Sequence, residues 1–359
     1  MSSKALIAMS GGVDSSVTAV LMQQAGYECT GVTMLLYTNT QACLTEGRTC
    51  CSLDDAEDAR AVARRFGMRH FVLNASDRFE SDVIQKFVRV YEEGGTPNPC
   101  IDCNRKLKFS YLWQKARELG CEKLATGHYA RIEQREDGRW LLKKGIDHSK
   151  DQSYVLYMLN QEQLAHICFP LGGMQKTEVR EIAENRALVN AKKHDSQDIC
   201  FVPDGDYSAF IRRYTQHSYP AGNFIDTDGN ILGRHSGIVD YTIGQRRGLG
   251  VAAGHPIYVC KKFPETNTIM LSDNNNLFSS VLYANEINLI DRDAISETLH
   301  CSAKVRYRHT EQPCTVTQID ADTVKVEFDE PQRAITTGQA VVFYDGDCVI
   351  GGGTIASLG

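Results

Sequence analysis

Nowhere in the 359 residues does an apolar run approach the ~20 positions that a membrane-crossing helix needs, so no membrane partner is expected. The chain enters a strand pattern at once, with no charged-then-apolar leader, which points to a cytoplasmic protein. Positive charge is not in surplus either: 39 Lys and Arg face 45 Asp and Glu, a net charge of −6. That balance argues mildly against nucleic-acid binding through the overall field and leaves it to local basic patches. Internal repeats and low-complexity segments are missing as well. What remains is a globular chain of two or three domains. Cysteine, by contrast, is plentiful. Thirteen in a reducing compartment point to metal or redox chemistry rather than a disulfide scaffold.

A glycine-rich loop is present, but without the Gly-Lys-Ser/Thr ending of a Walker loop, so that γ-phosphate grip is excluded. The loop is Ser10-Gly11-Gly12-Val13-Asp14-Ser15-Ser16. It follows Ala5-Leu6-Ile7-Ala8-Met9, a buried parallel strand by pattern, and precedes Val17-Thr18-Ala19-Val20-Leu21-Met22, which continues as a helix. Strand, glycine turn and helix N-terminus together bind phosphate. Gly11 and Gly12 let the backbone approach an anion, Ser15 and Ser16 supply hydroxyls, and Asp14 is a hard oxygen donor suited to Mg²⁺. The loop resembles the PP-loop, SGGxDSS, of ATP pyrophosphatases, which hold the pyrophosphate end of ATP and transfer AMP to a substrate oxygen. The bland alternative is a Ser/Gly turn before a helix.

Residues 1–205 alternate strand and helix patterns. Strands are expected near residues 5–9, 28–36, 70–73, 123–126 and 140–143, with helices over 53–66, 79–93 and 109–119. This is an α/β pattern that implies a parallel sheet with right-handed crossovers, binding its ligand at the carboxyl ends of the strands. The character changes near Pro203-Asp204-Gly205. Residues 206–280 read as a small central α+β domain. From Asn285 the chain alternates in period two, as an antiparallel barrel or sandwich does, and residues 281–359 are expected to form it.

Among the cysteines, Cys100 and Cys103 form a C-x-x-C in Thr96-Pro97-Asn98-Pro99-Cys100-Ile101-Asp102-Cys103-Asn104, a Pro-rich loop before a helix expected from about Lys106. Arg105, Lys106 and Lys108 are expected to lower the thiol pKa there, and the thiolate is both nucleophile and metal ligand. Cys200 ends Asp195-Ser196-Gln197-Asp198-Ile199-Cys200. Cys43, Cys50 and Cys51 lie in a polar loop and receive no role. Cys29, Cys121, Cys168, Cys260, Cys301, Cys314 and Cys348 read as small buried hydrophobes.

Seven ordered motifs resemble those of the tRNA-specific 2-thiouridylase (MnmA) family. They are Met9 with the Ser10 loop, Thr96-Pro97-Asn98-Pro99 with Cys103-Asn104, and Ala125-Thr126-Gly127-His128-Tyr129. Further on come Lys150-Asp151-Gln152-Ser153-Tyr154, Ser196-Gln197-Asp198-Ile199-Cys200-Phe201, Tyr241-Thr242-Ile243-Gly244-Gln245-Arg246-Arg247-Gly248 and Lys304-Val305-Arg306-Tyr307-Arg308. The resemblance implies an adenine nucleotide α-hydrolase-like PP-loop domain, a central domain and a C-terminal β-barrel that contacts tRNA. It also implies that ATP, with Mg²⁺, adenylates O2 of uridine 34 in the anticodon of Lys, Glu and Gln isoacceptors. Cys200 then receives sulfur as a persulfide, and Cys103 is the nucleophile, ending as its disulfide partner. A cysteine desulfurase or sulfur-carrier protein would supply the sulfur.

By the same resemblance the ATP site is Ala8, Met9, Ser10, Gly11, Gly12, Val13, Asp14, Ser15, Met34 and Gly127. The target base and tRNA fall to Asn98, Pro99, the position of Cys100, His128, Lys150, Asp151, Gln152, Arg306, Tyr307 and Gln339, with Arg246 and Arg247 as further phosphate contacts. The base must leave the stack for chemistry at C2. His128 also reads as a satisfied polar residue at a strand end.

At position 100 many family members carry Asp, and this chain carries Cys. The acid/base role of that Asp therefore has no counterpart. Cys100, Cys103 and Cys200 would give three thiolates for a [4Fe–4S] cluster as an alternative sulfur carrier; zinc would use the same ligands. Two other readings stay open. A different PP-loop adenylating synthetase would need ammonia delivery rather than paired cysteines, and a non-enzymatic tRNA-binding protein would not need an intact loop.

Overall fold

The computed structural model describes residues 2–38, 53–193, 199–296 and 298–359. Cys43, Cys50, Cys51 and Ser196-Gln197-Asp198 lie outside them. No helix among the described residues is long and apolar enough to cross a membrane.

The described strands form three sheets. The first is parallel, in the order β3–β2–β1–β4–β7. It comprises β1 (Lys4–Ala8), β2 (Glu28–Leu35), β3 (Arg69–Asn74), β4 (Lys123–Ala125) and β7 (Ile167–Cys168). Leu6, Ala5 and Ile7 of β1 are fully buried, as an interior parallel strand requires. One face packs on helices α1 (Val13–Gln24), α2 (Leu53–Arg65) and Lys176–Asn185 through Val17, Val20, Ala59, Val62 and Val179. The other face carries Leu6 and Leu124 against Phe109, Leu112 and Trp113.

The apolar stretch near residue 140 does not join this sheet. β5 (Ala130–Gln134) and β6 (Trp140–Lys144) form an antiparallel hairpin, and β6 pairs with the barrel strand β17 (Cys348–Leu358) through Cys348↔Lys143 and Val349↔Leu142. The fifth parallel strand is instead the two-residue β7. Local apolar content does not say which sheet a strand joins; pairing with a segment 200 residues away does.

The central sheet, in order β10–β11–β8–β9, is built from β8 (Gly222–Ile225), β9 (Ile231–His235), β10 (Tyr258–Phe263) and β11 (Thr268–Ser272). The last sheet is an antiparallel barrel. β12 (Phe278–Leu289), β13 (Leu299–Lys304), β14 (Gln312–Gln318), β15 (Val324–Arg333), β16 (Ala340–Asp345) and β17 (Cys348–Leu358) run β12–β15–β14–β13–β16–β17, and β12 pairs back to β17. Closure leaves no free edge among these six. The alternation over residues 312–328 is the inside–outside pattern of that barrel: Cys314, Val316, Val324, Val326 and Phe328 form its core.

Two apolar clusters join these units. Tyr154, Tyr157 and Leu159 pack against barrel residues Ala340, Val342, Tyr344 and Val349. Phe79, Phe87 and Leu107 pack against Phe210, Phe224, Val239 and Val259 of the central segment.

Candidate nucleotide and tRNA cleft

A cleft of about 1480 Å³ opens at the carboxyl ends of β1, β2 and β4. On the sheet side it is lined by Ala8, Met9, Ser10, Gly12, Val13, Asp14, Ser15, Met34 and Gly127. Its far wall comes from the loop after β6, with Lys150, Asp151 and Gln152, and from the β13–β14 loop, with Tyr307, Arg308 and His309.

The glycine loop is braced from several directions. Gly11 has φ +75°, a left-handed conformation, and a Cβ there would lie 2.4 Å from the Asp55 carbonyl oxygen of α2. Only glycine fits. Gly12 is the N-cap of α1 and offers no side-chain cap, so the first-turn N–H groups face the cleft without one. Ser15 Oγ accepts from Ser10 N at 3.1 Å and donates to the Gly12 carbonyl at 3.0 Å. Asn190 Nδ2 donates to the Gly11 carbonyl at 2.9 Å and to Ser16 Oγ at 2.8 Å. Lys193 pairs with Asp55 and Asp58; burial works against its charge, but those two carboxylates outweigh it and raise its pKa. Gly127 packs tightly, since a Cβ there would meet the backbone of Asp14 and Ser15 at 3.0–3.1 Å.

Asp14 is not a ready metal ligand. Its carboxylate accepts from Lys176 Nζ at 2.7 and 2.8 Å and from Tyr129 Oη at 2.9 Å. The Lys176 side chain is only 10% exposed, so this pair is a partly buried brace between α1 and helix Lys176–Asn185.

His128 lines the cleft yet is mostly buried, with rings of Phe109 and Phe169 at 5.7 and 5.6 Å. Burial, with Lys108 adding to it, drives its pKa well below the usual range, so it is neutral at pH 7. Its Nδ1 shares a 2.6 Å hydrogen bond with Thr126 Oγ1. Asp151 accepts from Gly145 N, Ser153 N and Ser153 Oγ at 2.8–3.1 Å, and Gln152 exchanges two bonds with the Tyr129 backbone. Both shape the loop that presents Lys150.

The cysteine pair sits on a helix, not on a loop. The chain is helical from residue 99 to 118: Pro99–Asp102 is α-helical, Cys103–Tyr111 is π-helical and Leu112–Glu118 is α-helical again. Pro99 is pre-organised for the first turn, which moves the helix start several residues ahead of the expected Lys106. In the wide segment the Leu112 N–H reaches back five residues to the Leu107 carbonyl. At about 4.4 residues per π-turn, Lys108 returns to the side of Cys103, whereas α-helical winding would turn it away.

The thiols are not activated in this state, contrary to the sequence expectation. Burial pushes the Cys103 thiol up to about 11, with Lys108 pulling the other way and too weak to win. Cys100 is exposed at the surface, yet desolvation by the surrounding protein also raises its thiol pKa, again against Lys108. Basic neighbours in sequence said nothing of this burial, and Arg105 turns away to Glu286 and the Tyr157 hydroxyl.

Cys103 lies in the apolar cluster beneath the helix, and Cys200 packs against the same cluster beside Phe201. Phe201 is anchored by Phe79, Phe87 and Phe210 at 5.2–5.6 Å, and Tyr37 Oη donates to the Cys200 carbonyl at 2.5 Å. Cys100 and Cys103 are free thiols. Among the described residues, no three His, Cys, Asp or Glu side chains gather to hold a metal. The expected convergence of three thiolates on one cluster therefore does not fit this arrangement.

Two expected tRNA contacts are turned inward. Arg306 Nη2 donates to the Ala334 carbonyl at 2.6 Å and to Thr336 Oγ1 at 2.9 Å, and burial lowers its pKa. Gln339 Nε2 donates to the carbonyls of Thr96 and Pro97 at 2.9 and 3.3 Å, holding the Asn98 loop against the barrel. Neither side lines the cleft, nor do Asn98, Pro99 and Cys100. Tyr307, 39% exposed, does line it; burial first, then the charges of Asp151 and Cys100, raise its pKa.

Comparison with known proteins settles the family. Residues 3–204 match the tRNA methyl transferase HUP domain, residues 208–273 the tRNA methyl transferase PRC-barrel domain, and residues 279–355 the aminomethyltransferase beta-barrel domain. The tRNA-specific 2-thiouridylase MnmA of Clostridioides difficile is 49% identical over 356 residues, covering 99% of this chain and 98% of that one. That of Carboxydothermus hydrogenoformans is 49% identical over 354 residues, covering 98% and 97%. This chain belongs to the tRNA-specific 2-thiouridylase family. A solved 4-thiouridine synthetase–RNA complex with bound ATP aligns with 60% of this chain and 51% of its own, at 20% identity and a TM-score of 0.38, too distant to bear on function.

Sequence reading missed Tyr129, Lys176, Asn190 and Lys193, and it took Lys108 only as a base that lowers the thiol pKa. Tyr129 stood in a quoted motif, so it had a local signal. The other three reach the loop from more than 160 residues away, and nothing near the glycines announces them.

Proposed function

We propose that this protein uses ATP to thiolate C2 of uridine 34 in tRNA. The observation that carries the proposal is the cleft itself. It joins an uncapped helix N-terminus on a glycine loop to a wall bearing Lys150, Tyr307, Arg308 and His309, one side suited to phosphate and the other to nucleic acid. Family membership over nearly the whole chain supports the same reading.

In this reading the loop from Ser10 to Ser15 orients the triphosphate, and the uridine O2 attacks the α-phosphorus. The O–P bond forms, pyrophosphate leaves, and a poor leaving oxygen becomes part of AMP. Sulfur arrives on Cys200 as a persulfide from a desulfurase or carrier protein. Cys103 attacks the inner sulfur of the persulfide, the terminal sulfur bonds to C2, AMP departs, and Cys103 and Cys200 are left as a disulfide that an external thiol reduces. No step is assigned to a metal cluster. The loop of Asn98 and Pro99, held by Gln339 outside the cleft lining, receives the flipped base once tRNA is bound. Lys, Glu and Gln isoacceptors are the expected substrates, and a cytoplasmic setting suits the reducible thiols.

Replacing Cys200 by Ser tests the reading. Thiolation of tRNA should disappear while tRNA affinity stays within about twofold. Thiolation that survives in Cys200→Ser would overturn the sulfur-carrying role, and AMP release driven by a small carboxylate rather than tRNA would overturn the substrate.

A further inference from the structure

The barrel contains a second thiol pair that the thiolation reading does not use. Cys301 on β13 and Cys314 on β14 are direct cross-strand partners in an antiparallel register, and their sulfurs are 3.8 Å apart. Directly opposed antiparallel residues have Cα separations of about 4.5–5.5 Å, inside the range that a disulfide bridges. Both side chains belong to the barrel core, Cys314 buried and Cys301 half-buried at its margin. The hydrogen bond with Cys301, followed by burial, holds the Cys314 thiol protonated. The pair stands at the base of the hairpin whose loop supplies Tyr307, Arg308 and His309 to the cleft.

We propose that Cys301 and Cys314 are a site of reversible oxidation by peroxide-class oxidants, and that the resulting disulfide clamps the hairpin forming the barrel's wall of the cleft. Cys301 is the sulfur an oxidant reaches first. Its sulfur bonds to one peroxide oxygen, the O–O bond breaks, and water leaves, giving a sulfenic acid. Cys314 then attacks that sulfur; the S–S bond forms, the S–O bond breaks, and a second water carries off the Cys314 proton. Two thiols lose two electrons and the peroxide gains them. A small-molecule dithiol reverses the bond by exchange. Cross-linking the two strands restricts opening of the segment between them. This site is independent of which cysteine carries the transferred sulfur.

The test treats the full-length protein with hydrogen peroxide and maps peptides without reduction. A Cys301–Cys314 cross-linked peptide, two hydrogens lighter than the free pair and lost on adding dithiothreitol, is expected. Hydrogen exchange over residues 302–313 should slow severalfold in the oxidised form and recover on reduction. Cys301→Ser should abolish both changes, and Cys314→Ala serves as the second variant should the first fold poorly. Oxidation of Cys301 to sulfinic acid with Cys314 still free would overturn the site, and a cross-link that leaves exchange over the hairpin unchanged would overturn the clamp.

Discussion

The glycine loop and the thiol turn of this molecule are built in opposite ways. The loop is held by Asn190, Lys193, Ser15 and the Asp14–Lys176 pair, so its backbone is already shaped for a phosphate. The thiol turn holds its two sulfurs protonated, one of them in an apolar cluster, on a stretch of widened helix. In the proposed reading, the half of the site assigned to ATP is preorganised, and the half assigned to sulfur is at rest. Such a division suits an enzyme whose reactive sulfur should not be exposed before the tRNA is activated, because a permanently ionised thiolate would meet oxidants and stray electrophiles.

The sharpest break in the comparison comes from Gly11→Ala. The left-handed backbone and the 2.4 Å approach to Asp55 leave no room, so roughly 3 kcal/mol or more of stability should be lost, with tRNA-dependent AMP release falling at least a hundredfold. Thermal unfolding and AMP assays read the two effects. Asp14→Ala should lower AMP release by a smaller factor and cost roughly 2–3 kcal/mol, because it removes two carboxylate bonds from a buried ammonium. A variant that unfolds like the parent would show that the brace contributes little.

The resting state of the thiol turn is checked by alkylation. With its pKa near 11, Cys103 should react with iodoacetamide roughly a hundredfold more slowly at pH 8 than a free cysteine. The rate should climb about tenfold per pH unit, since deprotonation grows toward the raised pKa. Lys108→Met should slow it further, and an unchanged rate would remove Lys108 from the account. The smallest effect is expected from Gln339→Ala, which loses two bonds to the Asn98 loop. About 1–2 kcal/mol and a modest rise in KM for tRNA should follow, with kcat little altered.

How much of this was legible in the sequence depends on whether the cause is local. Gly11 and Gly12 between a strand and a helix announce a phosphate loop because turn, dipole and hydroxyls all sit within seven residues. The period-two alternation after Asn285 announces inward and outward strand faces. The loop's braces, the pairing of β6 with β17 and the inward turn of Arg306 depend on partners far along the chain, and no local pattern encodes them. The thiol turn was misread for a related reason. Nearby Arg105, Lys106 and Lys108 suggested a lowered thiol pKa, but burial among residues distant in sequence sets its direction.

The most direct measurement is 2-thiouridine formation by metal-free protein given ATP, tRNA and a persulfide donor, with peptide mapping after a single turnover. The account predicts thiolated tRNA, one AMP per thiolation and a Cys103–Cys200 disulfide. Product formed only after reconstitution with iron and sulfide, without that disulfide, would contradict it.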